Sequence, residues 1–287
     1  MKLKELQVSF QLALSDLYEK QEIDVFFFML SEKQCGVSRL DLALNPDIEC
    51  SDSELEVLSG ALEQLIEATP IQHILGEKEF FGLLFKVGPE VLVPRPETEE
   101  LVQWIIDDCK NIKQPIRILD VGTGSGCIAI SLAKHLNNVE VTAIDVSKEA
   151  LMLAKKNAKN IGVNVSFVEA DVLNLKSQMD DFDLGKFDII VSNPPYVREL
   201  EKEEIHPNVL NHDPHLALFV EDHNPLVFYK TILELGSALL VSNGLVYFEI
   251  NQYLGEEMKT AFNNYNYRGI ELRKDIFGNN RMMKGVI

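Results

Sequence analysis

Residues 191–197 read VSNPPYV, so an asparagine, two prolines and a tyrosine follow the apolar run from Phe187 to Val191. Two prolines remove two backbone donors and hold two φ angles at about −65°. Each also pushes its predecessor, Asn193 and then Pro194, toward an extended conformation. The product is a stiff corner with free carbonyl oxygens and one side-chain amide. On its own such a corner is most simply a rigid connector after a strand, so its surroundings decide whether it does chemistry. Upstream, Asp120-Val121-Gly122-Thr123-Gly124-Ser125-Gly126 ends another apolar run and passes straight into a helical pattern. Glycines at alternate positions let the backbone approach a ligand closely, in the crevice beyond a strand's carboxyl end.

The spacing of that loop narrows the ligand. Gly122 and Gly124 are followed by Gly126, with Cys127 where a Gly-x-Gly-x-x-Gly dinucleotide fingerprint needs its third glycine. Gly-x-Gly-x-Gly behind an acidic strand end resembles the S-adenosylmethionine-dependent methyltransferases instead. Asp145 closes the second strand, 25 residues after Asp120, where a carboxylate can accept both ribose hydroxyls. Asp171 follows the third strand and is placed to accept from an adenine amino group, with Val172 packing on the ring. One such aspartate could be a helix cap or a loop residue; three at successive strand ends point to a nucleoside.

In the strand order of that class the strand ending at Asn193 lies beside the first, which sets the corner next to the methyl donor at a topological switch point. The Asn193 side-chain oxygen and the Pro194 carbonyl oxygen can each accept one hydrogen of an NH₂ group. Holding both hydrogens aims the nitrogen at the sulfonium methyl in a near-attack geometry. Tyr196 is expected to stack on the flat acceptor. No strong base is needed before transfer, because the cofactor supplies an activated methyl.

The elements that must position these groups follow from periodicity. Residues 1–75 read as helical: Leu3, Leu6, Phe10, Ala13, Leu14 and Leu17 fall at helical spacing, VFFFML (25–30) looks buried, and Leu55, Leu58, Leu62, Leu65 and Ile66 form one face. Ser51 and Glu54 make a capping box. Residues 76–95 predict a linking β-hairpin with its turn near Gly88-Pro89. Pro96-Glu97-Thr98 opens another helix, with acidic residues in the first turn as the helix dipole prefers. From there to residue 287, apolar β-rich runs at 116–121, 139–144, 164–168, 187–192 and 245–250 alternate with helical stretches such as 126–136 and 147–161. Runs at 267–273 and 281–287 would pair as an antiparallel edge. The expected fold class is therefore α/β: a Rossmann-like methyltransferase domain with a mostly parallel seven-stranded sheet and an antiparallel edge, preceded by a small helical domain and a hairpin.

Composition sets outer limits. The chain has 287 residues, 27 basic and 45 acidic, for a net charge of −18. Residues 1–75 alone hold 14 acidic against 5 basic residues. Around the corner Glu199, Glu201, Glu203 and Glu204 outnumber Arg198 and Lys202. Nucleic-acid binding draws on Lys and Arg meeting phosphates, so duplex DNA is a poor fit and a basic protein surface a better one. No apolar run reaches the roughly 18 to 20 residues that span a bilayer, and the amino terminus has no signal-peptide pattern. Cys35, Cys50, Cys109 and Cys127 are scattered, as expected of reduced cytoplasmic thiols. His206, His212, His215 and His223 crowd one region but match no zinc spacing, so a polar loop and no metal are expected.

Together the motifs resemble the HemK/PrmC protein-(glutamine-N5) methyltransferases, which modify the glutamine of the Gly-Gly-Gln motif in class I peptide-chain release factors. The similarity rests on PIQHILGEKEFFG (70–82), VLVPRPETEELV (91–102), ILDVGTGSGCIAISLA (118–133), VSNPPYV (191–197) and GNNRMMKG (278–285). It implies that Gly122, Thr123, Gly124, Ser125, Gly126, Asp145, Asp171, Val172 and Asn193 hold S-adenosyl-L-methionine. It implies equally that Asn193, Pro194, Pro195 and Tyr196 hold the glutamine, and that the helical domain helps grip the release factor. The partner is then a release factor, with no nucleic acid or membrane, and the enzyme a cytoplasmic monomer. The chain departs from the family at Asp213-Pro214-His215, at 220–230 and at Asn251, where glycine is usual. Arg95 could order the hairpin or touch substrate, and Glu249 could be structural or catalytic; both stay open. Rival readings are a glutamine methyltransferase of a ribosomal protein, a DNA adenine-N6 methyltransferase, which shares Asn-Pro-Pro-Tyr, and a non-catalytic binder of the cofactor.

Overall fold

The computed structural model describes residues 1–176, 184–204 and 207–287. It divides into two compact units, Met1–Gly76 with His206–His212, and Glu77–Ile205 with Asp213–Ile287. Among the described residues no helix is long and apolar enough to cross a membrane.

The first unit contains α1 (Leu3–Leu14), α2 (Lys20–Cys35), α3 (Arg39–Leu44), α4 (Asp52–Ile66) and α5 (Ile71–Leu75). Its core gathers Leu3, Leu6, Phe10, Phe27, Leu30, Leu58 and Leu65. Ser51 caps α4 by accepting from the Glu54 N–H, and Glu54 returns the bond to the Ser51 N–H, so the capping box expected there is present. The helices are more amphipathic than their sequences suggest. Val25 and Met29 of the VFFFML run point outward, as do Ala13, Leu17 and Ile66. Leu17 lies beyond the end of α1, where the helical phase no longer applies.

The second unit opens with β1 (Glu77–Phe80) and β2 (Leu83–Lys86), an antiparallel hairpin. Its turn is at Phe81-Gly82, not near Gly88-Pro89 as expected. A two-residue hairpin turn of this hand needs positive φ at both central positions, and Phe81 and Gly82 sit at 51° and 71°. Glycine does this freely; phenylalanine is held there because its N–H donates to Glu99 Oε1 at 3.0 Å and its ring packs edge-on against His135 at 4.9 Å.

The remaining elements are α6 (Pro96–Cys109), β3 (Ile116–Val121), α7 (Cys127–His135), β4 (Val139–Asp145), α8 (Lys148–Ile161), β5 (Ser166–Glu169), β6 (Phe187–Ser192), β7 (Val197–Arg198), α9 (Pro207–His212), α10 (His215–Leu218), β8 (Phe219–Val220), α11 (Val227–Leu239), β9 (Leu240–Glu249), α12 (Gly255–Asn264), β10 (Arg268–Lys274) and β11 (Asn280–Val286). Of these, α9 groups with the first unit, where His212 Nε2 lies 3.0 Å from the Glu67 carbonyl oxygen. Seven strands form one sheet in the order β10-β11-β9-β6-β3-β4-β5, parallel from β9 through β5, with β11 antiparallel to both neighbours. β9 begins at Leu240, five residues before the expected run at 245. It absorbs the turn-like Ser242-Asn243-Gly244 through an irregularity, with Asn243 at φ 64° and a register shift opposite Phe187/Ile189.

Alternate strand residues divide the core into two layers. Ile118, Val141, Ile189 and Val191 pack with Trp104 and Ile105 of α6 and Ile128 of α7. Leu119, Val121, Ile144 and Ile190 pack with Tyr229 and Ile232 of α11 and Phe262 of α12. Burial on both faces is why these strands read as nearly unbroken apolar runs.

One buried polar residue links the hairpin to the glycine loop. Asn157, wholly buried on α8, accepts from the Lys86 N–H at 2.8 Å and donates to the carbonyl oxygens of Lys86 (3.0 Å) and Ser125 (2.9 Å). Removing it leaves three backbone groups without their partner. Asn157→Ala is therefore expected to destabilise the protein by about 2–4 kcal/mol and to weaken cofactor binding more than an exposed α8 change such as Lys155→Ala. Urea unfolding and calorimetric titration of the two variants check this; equal stability would refute it.

Candidate active site

The glycine loop follows β3 directly. Gly122, Gly124 and Gly126 have φ of 72°, 54° and 83°, a left-handed run that side chains resist. At Gly126 there is also no room: a Cβ would lie 2.7 Å from Ile130 Cδ1 and 3.2 Å from Ala154 Cβ. The third glycine thus seats α7 against α8, and it does not itself border the cleft. Gly122, Thr123, Gly124 and Ser125 do, together with Asp145, Asp171, Val172, Asn193, Pro194 and Pro195, around a cleft of about 300 Å³. Residues from four strand ends, expected separately to hold a cofactor, thereby share one crevice at the carboxyl edge of the sheet.

The carboxylates are prepared for different tasks. Asp145 accepts from the Gly124 N–H at 2.8 Å through Oδ2 and from the Ser147 N–H at 2.9 Å through Oδ1. Each oxygen keeps a second lone pair for a hydroxyl donor. Burial raises its pKa, against the N–H groups of Ser147 and Gly124. Asp171 accepts from the Leu173 N–H and the Asn174 side chain, which orients it beside Val172. Asp120 is wholly buried; its Oδ2 accepts from the Thr123 hydroxyl at 2.7 Å and the Ala129 N–H at 3.2 Å, while Oδ1 has no hydrogen-bond partner among the described residues. Burial pushes its pKa up to about 7, with the Thr123 and Ala129 hydrogen bonds opposing and Asp145 adding to the rise. Asp145, with a spare lone pair on each oxygen beside a loop of left-handed glycines and with Asp171 and Val172 on the same cleft, fits a hydroxyl-bearing nucleoside, and so fits S-adenosylmethionine.

On the acceptor side, β6 pairs with β3 in parallel, and the Ser192 hydroxyl donates to the Val121 carbonyl at 2.6 Å, tying the two strand ends together. Asn193 follows. Its Nδ2 donates to Thr98 Oγ1 at 3.3 Å, and Thr98 Oγ1 donates to Glu249 Oε2 at 2.6 Å. Tyr196 donates its hydroxyl to Glu249 Oε1 at 3.0 Å. With its hydroxyl so held, Tyr196 lines a recess of about 20 Å³ together with Leu92, Arg95, Asn193 and Pro194, all four of which also border the large cleft. Such a recess has room on the scale of one or two waters. Arg95, undecided from sequence, borders both the recess and the cleft.

Thr98 was not singled out for the site by sequence reasoning, and Glu249 was left undecided. The only signal was their position: Thr98 sits in the Pro-Arg-Pro-Glu-Thr segment and Glu249 at a strand's carboxyl end. Glu249 is wholly buried, and burial raises its pKa against the Thr98 hydrogen bond, Arg281, Tyr196 and Arg95. Asn251, where the family usually has glycine, donates to the Tyr196 carbonyl at 3.0 Å and to Glu201 Oε2 at 2.9 Å, bracing the far end of the corner. The histidines do not converge: His215 packs edge-on with Phe219 and His223 pairs with Glu221. His206 lies outside the described residues, among which no group of three His, Cys, Asp or Glu is placed to hold a metal.

A doubly wound sheet with an antiparallel edge, a glycine-loop cleft and an acceptor corner at the next strand end defines a methyltransferase of the S-adenosylmethionine-dependent class. A methyltransferase domain model matches residues 112–282, and a PrmC N-terminal domain model matches residues 7–76. The release factor glutamine methyltransferase of Flavobacterium psychrophilum is 50% identical over 99% of both chains. That of Bacteroides thetaiotaomicron is 43% identical over 94% of this chain and 95% of its own. Among solved structures, the 16S rRNA N2 G1207 methyltransferase of T. thermophilus, in complex with AdoMet and guanosine, has a TM-score of 0.53 at 16% identity, over 73% of this chain and 49% of its own, and shares the fold. The chain belongs to the release factor glutamine methyltransferase family.

The raised pKa of Asp120 has a pH signature. Between about pH 4, where an unfolded aspartate ionises, and pH 7, the folded chain keeps a proton that the unfolded chain has released. Its contribution to stability is therefore full at low pH and is lost as pH rises through the folded value. Without cofactor, Asp120→Asn is expected to gain stability relative to the parent as pH rises from 4 to 8. Melting curves of both proteins across that range check it, and parallel curves would reject it.

Proposed function

We propose that this protein transfers a methyl group from S-adenosylmethionine to the side-chain amide nitrogen of the glutamine in the Gly-Gly-Gln motif of a class I release factor. The observation that carries the reading is the rigid Asn193-Pro194 corner, one strand over from the glycine loop and on the same cleft. Gly122–Ser125 and Asp145 bind the donor, with Asp171 and Val172 at the base. When bound, that donor supplies a methyl already activated on a sulfonium sulfur.

The chain's own part is positioning and electrostatics. Asn193 Oδ1 and the Pro194 carbonyl oxygen each accept one N–H of the substrate amide, which holds its nitrogen flat and facing the donor. As the nitrogen gains a bond it becomes positive, and the two oxygens, fixed in a site shielded from water, stabilise that charge. A proton then leaves without a strong base. Neither Pro194 nor Pro195 has an N–H to compete for the substrate oxygen or to distort the corner. Tyr196 acts from behind the corner: its hydroxyl bond to Glu249 fixes the ring along the recess.

The acidic surface, −18 overall, suits a cationic protein partner better than nucleic acid. The four cysteines are free, in keeping with work in a reducing compartment. The enzyme on this reading is a cytoplasmic monomer.

The test is methylation with labelled donor of release factor carrying Gly-Gly-Gln, of the same factor with that glutamine changed to alanine, and of ribosomal proteins. Label confined to the first supports the proposal; label on a ribosomal protein alone overturns the choice of substrate. Asn193→Ala is expected to lower kcat by about 10²–10³-fold while donor affinity, read by calorimetry, stays within about three-fold.

A further inference from the structure

The hydrogen bonds behind the corner run in one direction. Glu249 Oε1 and Oε2 are both occupied as acceptors, by Tyr196 and Thr98. Thr98, itself buried, has a single hydroxyl proton and gives it to the carboxylate. Toward Asn193 the hydroxyl can therefore only accept. That requires the NH₂ end of the Asn193 amide to face Thr98, at 3.3 Å, and turns Oδ1 to the cleft. A neutral amide has no preferred orientation of its own, and among the described residues Oδ1 accepts no other hydrogen bond that would choose one.

Building on the reading of Asn193 as the amide-binding group, we propose that Glu249, acting through Thr98, sets the orientation of the Asn193 side chain and thereby makes the site select a carboxamide over a carboxylate. Thr98 and Glu249 are positioning residues. With Oδ1 presented, Asn193 and the Pro194 carbonyl form a pair of acceptors with no donor between them, since Pro194 and Pro195 have no N–H. A glutamine NH₂ satisfies both, whereas the carboxylate of a glutamate meets two repelling oxygens. The discrimination is not trivial here, because Arg95 borders the same cleft and attracts an anion. Reversing the amide would place an NH₂ beside that guanidinium and convert the slot into one that welcomes a carboxylate. The buried Glu249 opposes the reversal by taking the one proton that the Thr98 hydroxyl has to give.

Three substitutions test this. Thr98→Val keeps the shape and removes the hydroxyl; Thr98→Ser keeps the hydroxyl; Glu249→Gln keeps the shape and introduces a donor. The readouts are kcat and KM for the release factor, donor affinity, and inhibition by the release factor whose target glutamine is replaced by glutamate. Thr98→Val and Glu249→Gln are expected to lower kcat at least about ten-fold and to improve the glutamate form as an inhibitor, relative to KM for the glutamine form, by about ten-fold or more. Donor affinity should change less than about three-fold, and Thr98→Ser should restore both values. A folded, donor-binding Thr98→Val enzyme that keeps the parent's discrimination would overturn the proposal, as would Thr98→Ser failing as badly as Thr98→Val. If Glu249→Gln does not fold, the Thr98 pair decides alone. If the parent enzyme labels no release factor, the functional reading falls. The orientation is then judged separately by the Asn193 side-chain NH₂ resonances, expected to move in Thr98→Val and return in Thr98→Ser.

Discussion

A carboxylate shut away from water must be satisfied by protein groups placed in advance, and Glu249 imposes that demand on the acceptor half of the molecule. It draws Thr98 from the first turn of α6 and Tyr196 from beyond the corner, at 2.6 and 3.0 Å. Its own backbone carbonyl accepts from the Tyr229 hydroxyl on α11 at 3.1 Å. Elements from both faces of the sheet thus converge on the end of β9. Truncating a partner would leave a buried polar group without its hydrogen bond, which costs more than the loss of a surface pair. The arrangement is therefore intolerant of change, and the stiffness that two prolines confer on the corner is matched by stiffness behind it.

The donor half uses the same physics with different groups. Backbone N–H groups from the glycine loop and the start of α8 hold Asp145, while Asn157 ties the loop to the hairpin. The two halves meet because β3 and β6 are neighbours in a parallel sheet, so their carboxyl ends open on one crevice.

Much of this was visible in the residues. Strands buried on two faces appear as apolar runs, and the loops after them carried glycines and aspartates whose spacing named the ligand class. What escaped was set by contacts distant in sequence. Thr98 meets Asn193 across 95 residues and Glu249 across 151, and no local pattern marks a threonine in a helix's first turn as a partner of either. The hairpin turn was misplaced because Gly-Pro is a stronger local turn signal than Phe-Gly; Glu99 and His135 supply the bond and the packing that hold Phe81 at positive φ. β9 was cut short because Ser-Asn-Gly reads as a break, whereas pairing with β6 carries the strand through it. What the sequence could not show for Tyr196 is its hydroxyl bond to Glu249, since a buried phenol seeks a partner and Glu249 offers one.

The Ser192 hydroxyl, bonded to the Val121 carbonyl where β6 and β3 would otherwise begin to splay, gives the crevice a fixed gauge. The distance from the glycine loop to the Asn193 corner is then a dimension of the sheet itself, set by strand pairing and held by one hydroxyl.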